Sequence, residues 1–286
     1  MNSKLKNLLL PQPHPALSIL RLAALSAGAH GALDDETMEV MRAQVKAGVL
    51  SNITPTEVWL ELIPGLMSHT PSNMLSALYD CSALAVILPE IAPLFGVHQI
   101  ANDPQQVNIG YHMLRVLDEA AHCNAPLSVR FAALVMNVGK ADSPPEHLPV
   151  HYRHIERGQI RIQSMCERLG VPEDCRDMAI LALVEYERIH RASEVRAGPV
   201  ASMLERLGAF ANPIRFEQII MLCACDYRAY PGYERRAYPK AFLLQAALKA
   251  CAGIDETNLS ADALQEARAV SIATAFRSER WSECSS

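Results

Sequence analysis

An all-α fold follows from three features of the 286-residue sequence. Ala and Leu are abundant while only six Phe, eight Tyr and two Trp are present, so the core is aliphatic and its residues favour helix. Apolar residues recur at steps of three and four, as in Leu17, Leu20, Ala24 and Leu25. The Val, Ile and Thr alternation of a strand is absent, so no sheet is expected.

The elements follow in order. Pro11, Pro13 and Pro15 keep the entry extended, and a helix starts near Pro15 and ends at Gly28 and Gly31. Asp34, Asp35 and Glu36 place negative charge at the start of a second helix that Gly48 closes. Thr54, Pro55 and Glu57 are an N-cap, a first-turn proline and a capping-box acid for a helix to about Met67. Helices over 71–80 and 82–87 follow, stopped by Pro89. The polar stretch 98–107, with Pro104, reads as a linker. Further helices are expected over 108–122, 127–138, 151–169, 173–188, 199–209, 213–227, 239–251 and 259–281, separated by turns carrying Pro or Gly.

The net charge of −5 bounds the function. Residues 1–100 hold five Lys/Arg against eight Asp/Glu, and the remainder holds 21 against 23, so any nucleic-acid role needs a local basic patch. Eight cysteines, none in a CxxC pair, fit a reducing cytoplasm, and Cys223 and Cys225 read as small core residues. Three leucines before Pro11 are too few for a signal peptide, and no segment is long and apolar enough to span a membrane. A cytoplasmic location is therefore expected.

Two sets of fragments carry a resemblance. The first is Ser18–Ala27, Ile53–Trp59 and Asp80–Ile91; the second is Gly110–Leu117, Val129–Lys140, Pro144–Glu146, His151–His154, Asp226–Arg228 and Gly232–Glu234. In this order and spacing they resemble the bacterial CCA-adding tRNA nucleotidyltransferases that carry an HD phosphohydrolase domain. The resemblance implies a neck-and-body-like helical region over 1–98 and an HD-like helical domain with a C-terminal helix over 99–286.

The departures shape what the resemblance implies. It starts at the family's neck, and the polymerase head with its metal-binding carboxylates has no counterpart in the sequence; the chain alone is expected to add no nucleotides. Where the family has the metal-binding His-Asp doublet, this sequence has Met136 and Asn137, a thioether and an uncharged amide, both poor ligands for a hard cation. Glu57 stands where the family usually has Arg, and Arg21 is the main basic residue left in the first helix.

Three groups of side chains are candidates. His112, His151, His154 and Asp226 match HD-domain polar positions, with His190 matching after a one-residue gap. They either hold a divalent metal (Mg, Mn or Ni) in a shifted site for phosphate-ester hydrolysis, or remain as relict polar residues; no other cofactor is expected. Arg153, Arg157 and Arg161 share a helix face, which either cradles phosphates or is a solvated basic face. Arg228, Tyr230, Tyr233, Arg235, Arg236, Tyr238 and Lys240 form the densest basic-aromatic cluster, suited to phosphate contact and base stacking, or else a structured loop. Three functions compete: a non-catalytic protein that binds tRNA or its 3′ end, a protein-interaction partner of a full-length nucleotidyltransferase or another protein, and a residual metal-dependent phosphohydrolase on a nucleotide or 2′,3′-cyclic phosphate.

Overall fold

A computed structural model describes residues 15–29, 31–100, 106–148, 150–191 and 196–283. Pro11, Pro13, Cys284 and the centre of the 98–107 stretch lie outside them. The fold is all-α. Its N-terminal helices are α1 (Pro15–Ser26), α2 (Asp35–Lys46), α3 (Pro55–Leu66), α4 (Pro71–Asp80) and the short α5 (Ala83–Ile87). After them come α6 (Ile109–His122), α7 (Leu127–Val135), α8 (His154–Leu169), α9 (Glu173–Arg191), α10 (Ala197–Arg206), α11 (Pro213–Arg228), α12 (Pro239–Cys251) and α13 (Ala261–Glu283).

Local chemistry sets the starts. Thr54 accepts from the Glu57 amide while the Glu57 carboxylate accepts from the Thr54 amide at 2.9 Å, closing the box that opens α3. The acid at position 57 thus has a capping role. Asp34 accepts from Thr37 N at 2.7 Å and Asn108 from Tyr111 N at 3.1 Å, starting α2 and α6. Arg21 forms an ion pair with Glu61 at 2.7 Å between α1 and α3.

Some boundaries differ from the sequence reading. A two-stranded antiparallel ribbon, β1 (His98–Ile100) with β2 (Gln106–Asn108), flanks the expected linker, pairing His98 with Asn108. Gln99 and Val107, opposite each other, face inward and are buried. Helix α7 stops at Val135, because 138–140 tightens into a 3₁₀ turn. Helix α8 starts at His154, since Arg153 takes a left-handed conformation (φ 53°) that turns the chain into it.

The two regions read from the sequence share one continuous apolar core, from Ala16 to Ile272. Trp59 of α3 meets Phe131 of α7 edge to face, centroids 5.4 Å apart. Arg130, 4% exposed, donates from Nε to Ala125 O at 2.9 Å and from Nη1 to both Leu66 O and Ser68 O at 2.8 Å. It thereby caps orphan carbonyls at the end of α3. Asp118 of α6 accepts from Ser72 N at the start of α4, and Arg168 of α8 forks onto Glu90 at 2.7 and 2.8 Å.

Candidate functional site

The turn between α7 and α8 positions the site. A Cβ on Gly139 would overlap His154 O, with Gly158 N also too near, so only glycine lets the turn lie against the start of α8. Arg157 of the same helix holds the turn as well, through Gly139 O at 3.0 Å, Tyr152 O at 2.7 Å and Ser143 Oγ at 3.2 Å. Arg161 adds Val138 O at 2.9 Å and an ion pair with Asp142.

The clamped turn sends Lys140 inward, 3% exposed. Its ammonium donates to Gln99 Oε1 and Tyr186 OH, each at 2.8 Å, and pairs with Glu187 at 2.8 Å. Glu187 also lies 3.5 Å from His154 Nε2. Tyr186 donates to Asn137 Oδ1 at 2.8 Å, and burial lifts its phenol well above the ordinary value. Met136 is fully buried in the apolar core.

A second knot adjoins the first. Asp226 of α11 pairs with His112 Nε2 at 2.9 Å and with His190 Nε2 at 3.3 Å. Burial opposes ionisation of Asp226, but the two imidazoles hold its carboxyl well below the usual carboxylate range. Burial likewise opposes charge on His190, yet Asp226, with Cys223, lifts it to about 10. Tyr238 OH lies 3.2 Å from His190 Nδ1, and the Tyr230 ring lies 4.4 Å from that of His112.

Between these knots and the surface lies a cavity of about 980 Å³. Lys140, Glu187, His154, His190 and Asp226 form its polar part, and Tyr152, Tyr230, Tyr233 and Tyr238 line it with rings. This is the size and character of a small-molecule site. His154 Nε2 and His190 Nε2 are buried there, 3.5 Å from Glu187 and 3.3 Å from Asp226. Burial pushes the His154 imidazole down, favouring its neutral form.

The candidate ligands do not converge. His112 and Asp226 bond to each other. His151, which also lines the cavity, is engaged by other groups, with Nδ1 2.7 Å from Ser143 Oγ and Nε2 3.0 Å from His98 O, and its pKa is lowered by burial and then by Lys140. His154 places Nδ1 2.6 Å from His151 O. Among the described residues, no group of three or more His, Cys, Asp or Glu is placed to hold a metal ion.

The arginine stripe also divides. Arg157 and Arg161 bond to the 138–143 turn and to Tyr152 O, while exposed Arg153 pairs with Glu156 at the cavity. The segment 228–240 has two faces. Tyr230, Tyr233, Tyr238 and Lys240 line the cavity, with the Lys240 ammonium donating to Ile189 O at 3.0 Å at the end of α9. Arg228, Arg235 and Arg236 line a separate shallow depression with Glu119, His122 and Cys123, and the Arg236 guanidinium lies 4.2 Å over the Tyr233 ring.

Gln99, Tyr186 and Glu187 were absent from the sequence candidates. Gln99 sits in a strand of three residues, too short to show a period, and Tyr186 and Glu187 fall in an ordinary-looking charged helix.

No family model matches the chain. It is 42% identical over 238 residues to a multifunctional CCA protein of Cupriavidus necator, covering 83% of this chain and 58% of that protein. To one from Chromobacterium violaceum it is 41% identical over 266 residues, covering 93% and 65%. To one from Cupriavidus taiwanensis it is 43% identical over 238 residues, covering 83% and 57%. The chain spans rather more than half the length of these relatives, and over most of its own length it is similar to that part of the multifunctional CCA proteins.

Proposed function

We propose that this chain is a tRNA nucleotidyltransferase-like protein that receives the 3′ end of a tRNA in the tyrosine-lined cavity and carries out no phosphohydrolysis there. The observation that carries the proposal is the cavity's construction: rings on its walls and a floor whose charges already pair with one another. Tyr230 and Tyr233 offer faces for terminal bases, and the same segment carries Arg235 and Arg236 at the separate depression, cations suited to flanking phosphates. Similarity to proteins named for CCA supplies the nucleic-acid class.

The donor set does not fit a divalent metal. Met136 offers a buried thioether, and the Asn137 oxygen accepts from Tyr186. Asp226 is shared between two imidazoles, and the Lys140 ammonium already balances Glu187. A second cation at this floor would meet that ammonium at short range.

The test is tRNA binding at two salt concentrations, with and without the 3′-CCA, for the native chain and for Arg235→Glu/Arg236→Glu. Two phosphate contacts lower affinity about tenfold between 50 and 200 mM salt. The expected result is salt-sensitive binding that prefers one form of the 3′ end and is lost on charge reversal. Unchanged affinity in the variant, or no binding at low salt, overturns the proposal. Hydrolysis of a 2′,3′-cyclic phosphate by metal-loaded protein overturns its non-catalytic part.

A further inference from the structure

The polar floor of the cavity has its cationic donors committed to protein acceptors. The three protons of the Lys140 ammonium meet Gln99 Oε1, Tyr186 OH and Glu187 Oε1, each at 2.8 Å. The Lys240 ammonium is held by the carbonyls of Ile189 and His190, and Arg153 by Glu156. His190 Nε2 lies 3.3 Å from Asp226. A terminal phosphate dianion brings only acceptors, and it would meet cations whose protons already point into the protein.

Acceptor capacity remains. His154 Nδ1 lies 2.6 Å from His151 O, and a carbonyl only accepts, so Nδ1 carries a proton. In the neutral ring, which burial favours, Nε2 is then the acceptor. It stands 3.5 Å from Glu187 Oε1, longer than an ordinary N–H···O bond, so two acceptors face each other at the floor. The Glu187 side chain is 22% exposed, and a carboxylate has about four lone-pair sites, so it takes a further donor while keeping Lys140. Two facing acceptors are completed by a ligand that brings O–H groups on adjacent atoms.

We propose that the cavity floor recognises the vicinal 2′,3′-hydroxyls of a terminal ribose, with Glu187 and His154 as the acceptors, and excludes a 3′-terminal phosphate. This rests on the reading that the cavity receives an RNA 3′ end. One hydroxyl donates to the Glu187 carboxylate and its neighbour to His154 Nε2; an acidic side chain bonded to a ribose hydroxyl is the same device that dinucleotide sites use. The tyrosine rings of the walls stack the base of that nucleotide. A 3′-phosphate or a 2′,3′-cyclic phosphate replaces one or both O–H donors with acceptors and sets negative charge against Glu187.

The experiment is calorimetric binding of the native full chain to the trinucleotide C-C-A with a free 2′,3′-diol, a 3′-phosphate, a 2′,3′-cyclic phosphate or a 3′-deoxy end, beside intact tRNA. The free diol is expected to bind about tenfold or more tightly than each of the other three, the effect of losing one hydrogen bond to a charged or buried acceptor. In Glu187→Gln the repulsion is gone and the gap to the 3′-phosphate narrows. A native chain that binds the four ends alike, prefers a phosphorylated end or binds none of them overturns the proposal, and that result requires no variant to fold. Binding of tRNA without any preference among the trinucleotides overturns the diol site and leaves the tRNA reading in place. Preference for the diol without binding of tRNA supports the diol site and overturns the tRNA reading.

Discussion

Replacing Lys140 with Met tests the centre of the site. The substitution keeps the length of the side chain and removes three donated contacts, to Gln99, Tyr186 and Glu187. Removing one partner of a buried pair costs about 3–5 kcal/mol, because the other is left desolvated and uncompensated. Two features reduce that figure here. The Glu187 side chain is 22% exposed to the cavity, so water reaches it, and neutral His154 stands 3.5 Å away, able to take a proton. The expected loss is about 2–4 kcal/mol, a large part of the ~5–15 kcal/mol that holds a folded chain. Urea unfolding followed by circular dichroism reads it as a lower midpoint. In the double variant Lys140→Met/Glu187→Gln the stranded charge is gone, and at least ~1 kcal/mol is recovered relative to Lys140→Met alone. A single variant within ~0.5 kcal/mol of the native chain, or a double variant whose losses simply add, refutes a paired ammonium at the cavity floor.

Two further outcomes follow from the same turn and its neighbour. Gly139→Ala drives a Cβ into backbone at His154 and Gly158, atoms that cannot move aside as a side chain would; it destabilises by roughly 2–4 kcal/mol, and an unaltered unfolding midpoint would disprove the close approach. The His190–Asp226 pair sets a pH dependence. His190, raised in the folded chain, contributes stability that is full below about pH 6.5 and lost as pH rises towards about 10. Asp226, depressed in the folded chain, contributes above about pH 4 and loses that contribution as pH falls further. The stability difference between the native chain and His190→Gln therefore shrinks from pH 6.5 to 10; a constant difference across that range contradicts the pairing.

The helical plan was legible because it is written locally. The box at Thr54 and Glu57 lies within four residues, and the Asp34 cap reads the same way. Cys223 and Cys225 were read as core residues from the apolar run around them, and both are fully buried. The site was less legible because its bonds cross long stretches of chain. Lys140 meets Gln99 41 residues upstream and Tyr186 46 residues downstream, a relation no helical period encodes. The spacing of Arg153, Arg157 and Arg161 gave a shared face; it held no information that a turn of the same chain would lie against two of them. His190, displaced by one residue from the family pattern, came to Asp226 only through the packing of α9 against α11.

Arg130 carries a consequence for the growing chain. The carbonyls of Leu66 and Ser68 are completed by a guanidinium that lies 64 and 62 residues further on, and Trp59 waits for Phe131 over a similar span. At about 5–20 residues per second, translation takes roughly 3–13 s to supply that stretch. For that interval α3 has an unfinished end and an uncovered indole, open to chaperones until α7 follows and covers them.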